Sequence, residues 1–332
     1  TLLPNDTDEM VEMTVGEAVD KGIIANPVLG YFIYVTKQLL ERLGIDTTKL
    51  RFRQHLKDEK AHYAEDCWDA EVLLSYGWTE VTGVADRGCW DLSRHSQFSG
   101  TDLSHFEMFD EPKEMTFNKV VANHRKLGPG FKDKAKAIAA ALETKTEDDV
   151  VDNRIVLNVE GEEITLTDEY FEVREVTEKV TGKRVIPHVI EPSYGLDRIF
   201  YSVLEHAYFD DEKRGYSVLR LAPEVAPIKV GIFPLMSKDG LDDLAKKIYS
   251  EVHSSDIPAF YDDSGTIGRR YARTDEIGVP WCITVDYESL EGPDKGTVTI
   301  RERDTGNQKR ISADGAADVI RQLVNGREFS TL

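Results

Sequence analysis

Val185-Ile-Pro-His-Val-Ile-Glu191-Pro-Ser193-Tyr-Gly195-Leu-Asp-Arg198-Ile199 is the stretch on which the reading of this 332-residue chain turns. The apolar run ending at Ile190 predicts a buried strand. Leu196, Ile199, Phe200, Val203, Leu204 and Ala207 then fall at helical spacing, behind a glycine that allows a tight turn. A change of period of this kind marks a strand-to-helix junction. Glu191 and Ser193 are expected where the strand's carboxyl end opens into a crevice, and Arg198 in the first helical turn, where free backbone N–H groups already favour an anion. A buried Glu191 needs a cation or hydrogen bonds. A substrate ammonium meets that need, and so does an arginine of the fold. Arg198 is either an ordinary surface arginine or a planar fork placed to grip a phosphate. An ammonium and a phosphate are the charges carried by an amino acid and by ATP.

Working outward, Asn26-Pro27 supplies an N-cap and a first-turn proline for a helix with Leu29, Phe32, Ile33, Leu40 and Leu43 on one side, ended by Gly44. Leu50 to Leu56 alternates as a half-buried strand, and further strands are expected around Asp66 to Leu73 and Trp78 to Val84. The first hundred residues thus read as antiparallel sheet with helices. From about Ser104 to Lys183 the texture changes: Lys132 to Leu142 is a helix pattern and Arg154 to Leu166 a hairpin around Gly161. No chemical constellation forms there, so the segment reads as an insertion between two pieces of one sheet. Its role is contact with a partner or pure structural elaboration. From about Leu221 onward strands and helices alternate, which predicts a compact α/β unit with a mixed sheet. The expected division is 1–103 with 184–222, then 104–183, then 223–332.

The 41 basic and 61 acidic residues leave a net charge of −20. A nucleic-acid partner is therefore not announced by bulk charge and must be held by local basic patches. No apolar stretch approaches the roughly 18 residues of a membrane span, and no cleavable signal opens the chain, which makes the cytosol the default compartment. Cys67, Cys89 and Cys282 are far apart and the histidines lack ligand spacing. Neither a disulfide framework nor a zinc site follows.

Three further groups of residues carry chemistry. Trp78, Glu80 and Thr82 are expected on one strand face, where Glu80 needs a partner; a salt bridge to Arg87 is the structural account. Arg51, Arg53 and His55 form a basic strand face, of the kind that is usually solvated; contact with ATP or another phosphate-bearing partner is the functional alternative. Ser264 to Arg273 joins two glycines to Arg269, Arg270 and Arg273 at a helix start, a possible phosphate cradle. It is not a Walker loop, since the lysine is missing.

Glu191-Pro192-Ser193-Tyr194-Gly195-Leu196-Asp197-Arg198 resembles motif 3 of the class II aminoacyl-tRNA synthetases in its glycyl-tRNA synthetase form, of the archaeal and eukaryotic kind. The likeness continues in order through Arg51-Phe52-Arg53-Gln54-His55, His62-Tyr63-Ala64, Asp66-Cys67-Trp68-Asp69, Tyr76-Gly77-Trp78-Thr79-Glu80, Ala85-Asp86-Arg87 and Ser264 to Glu276. The resemblance implies an α+β catalytic core carrying an insertion, followed by an α/β anticodon-binding domain. It implies that Glu191, with Pro192 and Ser193, binds glycine, the hydroxyl narrowing and polarising the pocket floor. It also implies that Arg198 meets the ATP γ-phosphate, that Glu80 with Val81 binds ATP, Glu80 through Mg²⁺, and that Arg269, Arg270 and Arg273 contact tRNA. Glycine, ATP and tRNA-Gly are the partners implied, with a homodimer as the complete enzyme. No counterpart of motifs 1 and 2 is found, including the arginine expected on the α-phosphate. The chain is then expected to be a C-terminal portion of a larger protein or half of a split enzyme, unable to charge tRNA alone. The competing expectation is a non-catalytic relative acting as a nucleic-acid-binding accessory or regulatory subunit, in which Glu191, Ser193 and Arg198 would have degenerated.

Overall fold

A computed structural model describes residues 1–332, the side chain of Asp148 excepted. The residues fall into two compact units, 1–91 with 188–332, and 92–187. The first unit opens with β1 (Leu2–Leu3), α1 (Val15–Asp20), α2 (Pro27–Arg42), β2 (Leu50–Gln54), β3 (Asp66–Leu74) and β4 (Gly77–Asp86), and α3 (Trp90–Ser99) spans the boundary. The second holds β5 (His105–Ala122), α4 (His124–Phe131), α5 (Ala135–Glu143), β6 (Arg154–Val159), β7 (Glu162–Thr167) and β8 (Phe171–Val185). The chain returns to the first with β9 (Ile190–Tyr194), α6 (Leu196–Ala207), β10 (Tyr208–Asp211) and β11 (Tyr216–Leu219). It closes with β12 (Val230–Pro234), α7 (Leu241–Ser254), β13 (Ala259–Tyr261), α8 (Ile267–Glu276), β14 (Trp281–Val285), α9 (Tyr287–Leu290), β15 (Thr297–Glu302), β16 (Gln308–Ser312) and α10 (Ala316–Val324).

The N-terminal sheet runs β1-β2-β3-β4-β9, antiparallel except for the β1–β2 pair. Helix α2 starts where Asn26 accepts from the backbone N–H of Val28 (3.1 Å) and Leu29 (2.9 Å), with Pro27 at a position that needs no N–H. Gly44, at φ 93°, lies just beyond its end. Leu29, Ile33 and Leu40 pack with Phe52, Trp68, Ala70, Val72 and Val84 from one face of the sheet and with Ile199 of α6. Each such fully buried side chain contributes about 1.5–3 kcal/mol. Two buried aspartates stitch the start of α2 to the strands. Asp66 accepts from the Ala25 N–H (3.1 Å) and the Trp68 indole (3.0 Å), and Asp86 accepts from the Asn26 amide (2.6 Å). The apolar groups of the sheet lie on this face, which leaves the opposite face to charge.

Two expectations need correction. Strand β9 begins at Ile190, where the predicted strand was to end, because Pro187 has no N–H to give a ladder. Glu191, Pro192 and Ser193 therefore lie within a strand, and β9 is the sheet's edge, which accommodates Pro192. In β4 the pairing passes from Ala70↔Thr82 to Glu71↔Glu80, leaving Val81 as an extra residue. A bulge of one residue reverses the alternation. Thr82 is turned into the core beside Val84, with its hydroxyl unpaired, while Glu80 stays on the open face.

The outgoing and returning chains are neighbours. The Arg87 N–H donates to the Val189 carbonyl and the Val189 N–H to the Gly88 carbonyl, both at 2.9 Å. Between these points the 92–187 unit has its own core of Val120, Leu127, Ile138, Leu142, Ile155 and Phe171. The expected hairpin is β6–β7, turning at Glu160 (φ 54°) and Gly161 (φ 85°). The β5–β8 ribbon was not anticipated. Most of β5 is exposed on both faces, so its sequence shows no period of two.

The C-terminal sheet runs β13-β12-β14-β15-β16, with β12 parallel to both neighbours and the remaining pairs antiparallel. This is the mixed sheet expected. Ile232, Ile283 and Ile300 pack against Leu241 and Ile248 of α7 and Ile320 of α10. Asp275, wholly buried, receives both guanidinium arms of Arg301 (2.9 Å each), Arg214 Nη1 (3.0 Å) and the Tyr216 hydroxyl (3.0 Å). Cys282 is buried beside it, and burial pushes its thiol up to about 12.

Candidate active site

Strand register arranges the open face of the N-terminal sheet in three cross-strand rows: Arg51, Glu71 and Glu80; Arg53, Asp69, Gly83 and Ser193; Cys67, Ala85 and Glu191. Opposite charges on paired strands neutralise one another. Arg51 donates to Glu71 at 2.6 Å and lies 4.2 Å over the Trp78 ring. Arg53 reaches Glu71 (3.1 Å), Asp69 (3.3 Å) and Glu59 (2.8 Å). His55 Nε2 is 2.7 Å from Asp69, whose hydrogen bond, followed by one with Cys67, pushes the imidazole up to about 10. The basic stripe is thus half of an ion network with buried Asp69 and Glu71 and is not a solvated face. Its signal in the sequence was the matching acidic alternation of Asp69 and Glu71.

Arg198 stands in the first turn of α6, as expected. Its Nη1 donates to the Glu80 carbonyl at 2.9 Å and lies 3.3 Å from the Glu80 carboxylate, with 57% and 51% of the two side chains exposed. The bulge makes this meeting possible. Val81 buries its side chain but offers its carbonyl to the Gly195 N–H at 2.9 Å, and a Cβ on Gly195 would come within 3.1 Å of that oxygen. A glycine at this position lets the start of α6 approach β4 closely.

Glu191 is not buried: 46% of its side chain is exposed, and it pairs with Arg87. The structural alternative for Glu80 was a salt bridge to Arg87; Arg87 lies beside β9 instead, and Glu80 pairs with Arg198. Arg87 also forms a two-pronged contact with Asp91 (2.6 and 3.0 Å), and its guanidinium lies 3.9 Å over the Tyr63 ring. Asp91 first, then Glu191, holds this arginine's pKa further above its ordinary value. Ser193 shares the face of Glu191 and is exposed, while Pro192 opposes Val84. Tyr63 was quoted within a motif but given no role, and Asp91 was not singled out, because no spacing rule connects either to Glu191.

Among the described residues, His55, Cys67 and Asp69, and separately Glu65, Asp86 and His188, are grouped closely enough to share a metal ion. Glu80 belongs to neither group. A Mg²⁺ on a nucleotide needs only one or two protein carboxylates, with phosphate oxygens and water completing the shell. The half-exposed Glu80 carboxylate fits that requirement.

The three arginines near α8 are not equivalent. Arg270 is only 3% exposed and donates to the carbonyls of Asp263 (2.8 Å), Gly265 (2.9 Å), Ser264 (3.2 Å) and Pro234. Arg273 pairs with Asp262 and reaches the Ser264 carbonyl at 2.9 Å. Both hold the loop together, which corrects the expected cradle; Arg269 alone of the three is exposed without such engagement.

Residues 229–323 match the family described as anticodon binding domain. Over 326 residues, 98% of the chain, the sequence is 50% identical to a glycine–tRNA ligase of Archaeoglobus fulgidus. It is 48% identical over 321 residues to that of Methanothrix thermoacetophila and 46% identical over 327 residues to that of Methanocaldococcus jannaschii, 96% of the chain in each case. The chain is a homologue of the archaeal glycine–tRNA ligases. It covers 55–56% of the length of these ligases, and the resemblance read from its motifs holds across nearly all of it. Arg198, Glu80, Glu191 and Ser193 all lie within the part shared with the glycine–tRNA ligases.

Proposed function

We propose that this chain provides part of the catalytic sheet of a glycine–tRNA ligase together with its tRNA-recognising domain. On this reading ATP and glycine form glycyl-adenylate and pyrophosphate, and the glycyl group then passes to the terminal ribose of tRNA-Gly. The observation that carries it is the meeting of Arg198 and Glu80, side chains 118 positions apart brought together on the open face that also presents Glu191 and Ser193. Arg198 would take the γ-phosphate, releasing Glu80. Mg²⁺ would bind Glu80 and supply charge neutralisation between the carboxylate and the phosphates. Glu191 would exchange Arg87 for the glycine ammonium, with Ser193 beside it. Positioning and charge stabilisation suffice for an in-line attack by the glycine carboxylate, without a covalent intermediate on the enzyme. A pocket closed to any side chain rejects larger amino acids sterically.

The same reading makes 92–187 an insertion in the catalytic core, the complete enzyme a homodimer and the cytosol its compartment. Its test is glycine-dependent ATP–pyrophosphate exchange by the enzyme as the cell makes it. Glu191→Gln removes a charged acceptor and is expected to lose about 2–4 kcal/mol of transition-state stabilisation. Near-native exchange at subsaturating glycine would remove Glu191 from the pocket.

A further inference from the structure

Glu191, Arg87 and Asp91 form a chain of charge in which one guanidinium is shared by two carboxylates. The sum is one negative charge, and a substrate ammonium completes it. How Arg87 is shared is set by its neighbours. Asp91 takes Nε and Nη2, leaving only Nη1 for Glu191, and Tyr63 covers the guanidinium's flat side. Tyr63 is itself braced, with ring centroids 5.2 Å from His62 and 6.0 Å from Trp90.

Resting on the proposal that Glu191 receives glycine, we propose that Asp91 and Tyr63 are positioning residues for the glycine site. They restrain Arg87 from closing on Glu191 with both arms. A guanidinium free to form a two-pronged pair with Glu191 would compete with the incoming ammonium for the same oxygens. A guanidinium with two arms already engaged by Asp91, and stacked on a ring, yields Glu191 after breaking a single contact. Neither residue touches the substrate on this account, and both act through Arg87.

The experiment measures glycine KM, ATP KM and kcat in pyrophosphate exchange by the cell-made enzyme for Asp91→Asn, Tyr63→Leu, Tyr63→Phe and Glu191→Gln. Asp91→Asn is expected to raise the glycine KM roughly tenfold to a hundredfold, the range of a charged hydrogen bond, while leaving the ATP KM within about twofold. Tyr63→Leu moves the same parameter in the same direction, and Tyr63→Phe, which keeps the ring, restores it. Glycine and ATP KM rising together in both Asp91→Asn and Tyr63→Leu would overturn the inference in favour of a merely structural role, as would no change in either. If Glu191→Gln raises the glycine KM but Asp91→Asn and Tyr63→Leu do not, only the positioning inference fails. If Glu191→Gln leaves the glycine KM unchanged, the glycine reading fails with it. Should Asp91→Asn not fold, the Tyr63→Leu and Tyr63→Phe pair decides.

Discussion

Arg301 and Asp275 meet inside the C-terminal sheet with both groups out of water, whereas Arg198 and Glu80 meet beside the N-terminal sheet with half of each side chain exposed. The residue types are the same and the physical consequences differ. A buried pair that loses one member leaves an uncompensated charge in a medium that cannot solvate it. An exposed pair exchanges its partner for water, or for a ligand of the same sign, at little expense. Exposure thus separates ion pairs that hold a fold from those a substrate can displace, and each of the following changes tests that separation.

Arg301→Met should have the largest effect. It takes two of the four donors from buried Asp275, leaving Arg214 and Tyr216, and is expected to destabilise the protein by about 3 kcal/mol, read from the urea midpoint. A shift of less than 1 kcal/mol would place this pair with the replaceable ones. Arg198→Ala should do the reverse, changing the urea midpoint by less than about 0.5 kcal/mol while lowering pyrophosphate exchange roughly a hundredfold or more. Retention of tRNA on filters should be unaffected. Loss of tRNA binding with exchange intact would contradict the assignment of this arginine to ATP.

His55 lies between the two extremes. Its folded pKa of about 10 exceeds the ordinary value near 6.5, so its pairing with Asp69 contributes fully below pH 6.5 and is lost as pH rises through about 10. The urea midpoint of the native chain should fall between pH 7 and 10 more steeply than that of His55→Gln. Parallel slopes would show that the imidazole is not held charged. The smallest change is expected from Arg269→Ala, which should reduce the salt dependence of tRNA binding by about one ion with no loss of stability. Arg270→Ala, in contrast, should unfold the loop it clamps and shift the thermal midpoint.

Helix α2, strand β3 and the C-terminal sheet were legible because capping, apolar periodicity and turn residues are local. The bulge at Val81 was not, since nothing in Trp78-Thr79-Glu80-Val81-Thr82 marks which residue is extra; that depends on the register with β3. The candidate site residues Glu191, Ser193, Arg198 and Glu80 were singled out through their motifs. Their partners were not, because Arg87 reaches Glu191 only once β4 and β9 are paired, and Asp91 reaches Arg87 only once α3 has begun. Arg270 looked like Arg269 in the sequence, and only burial tells them apart.

The reciprocal hydrogen bonds between Arg87, Gly88 and Val189 have a consequence for how this chain tolerates change. To the sheet, everything between those residues is a hairpin loop, whatever its length. The entropy of closing a loop grows only with the logarithm of its size, and the 92–187 unit brings its own core. Beyond Asp91 the position is therefore a socket: a module exchanged, shortened or removed there and bridged by a short turn makes no demand on the register that aligns β4 with β9.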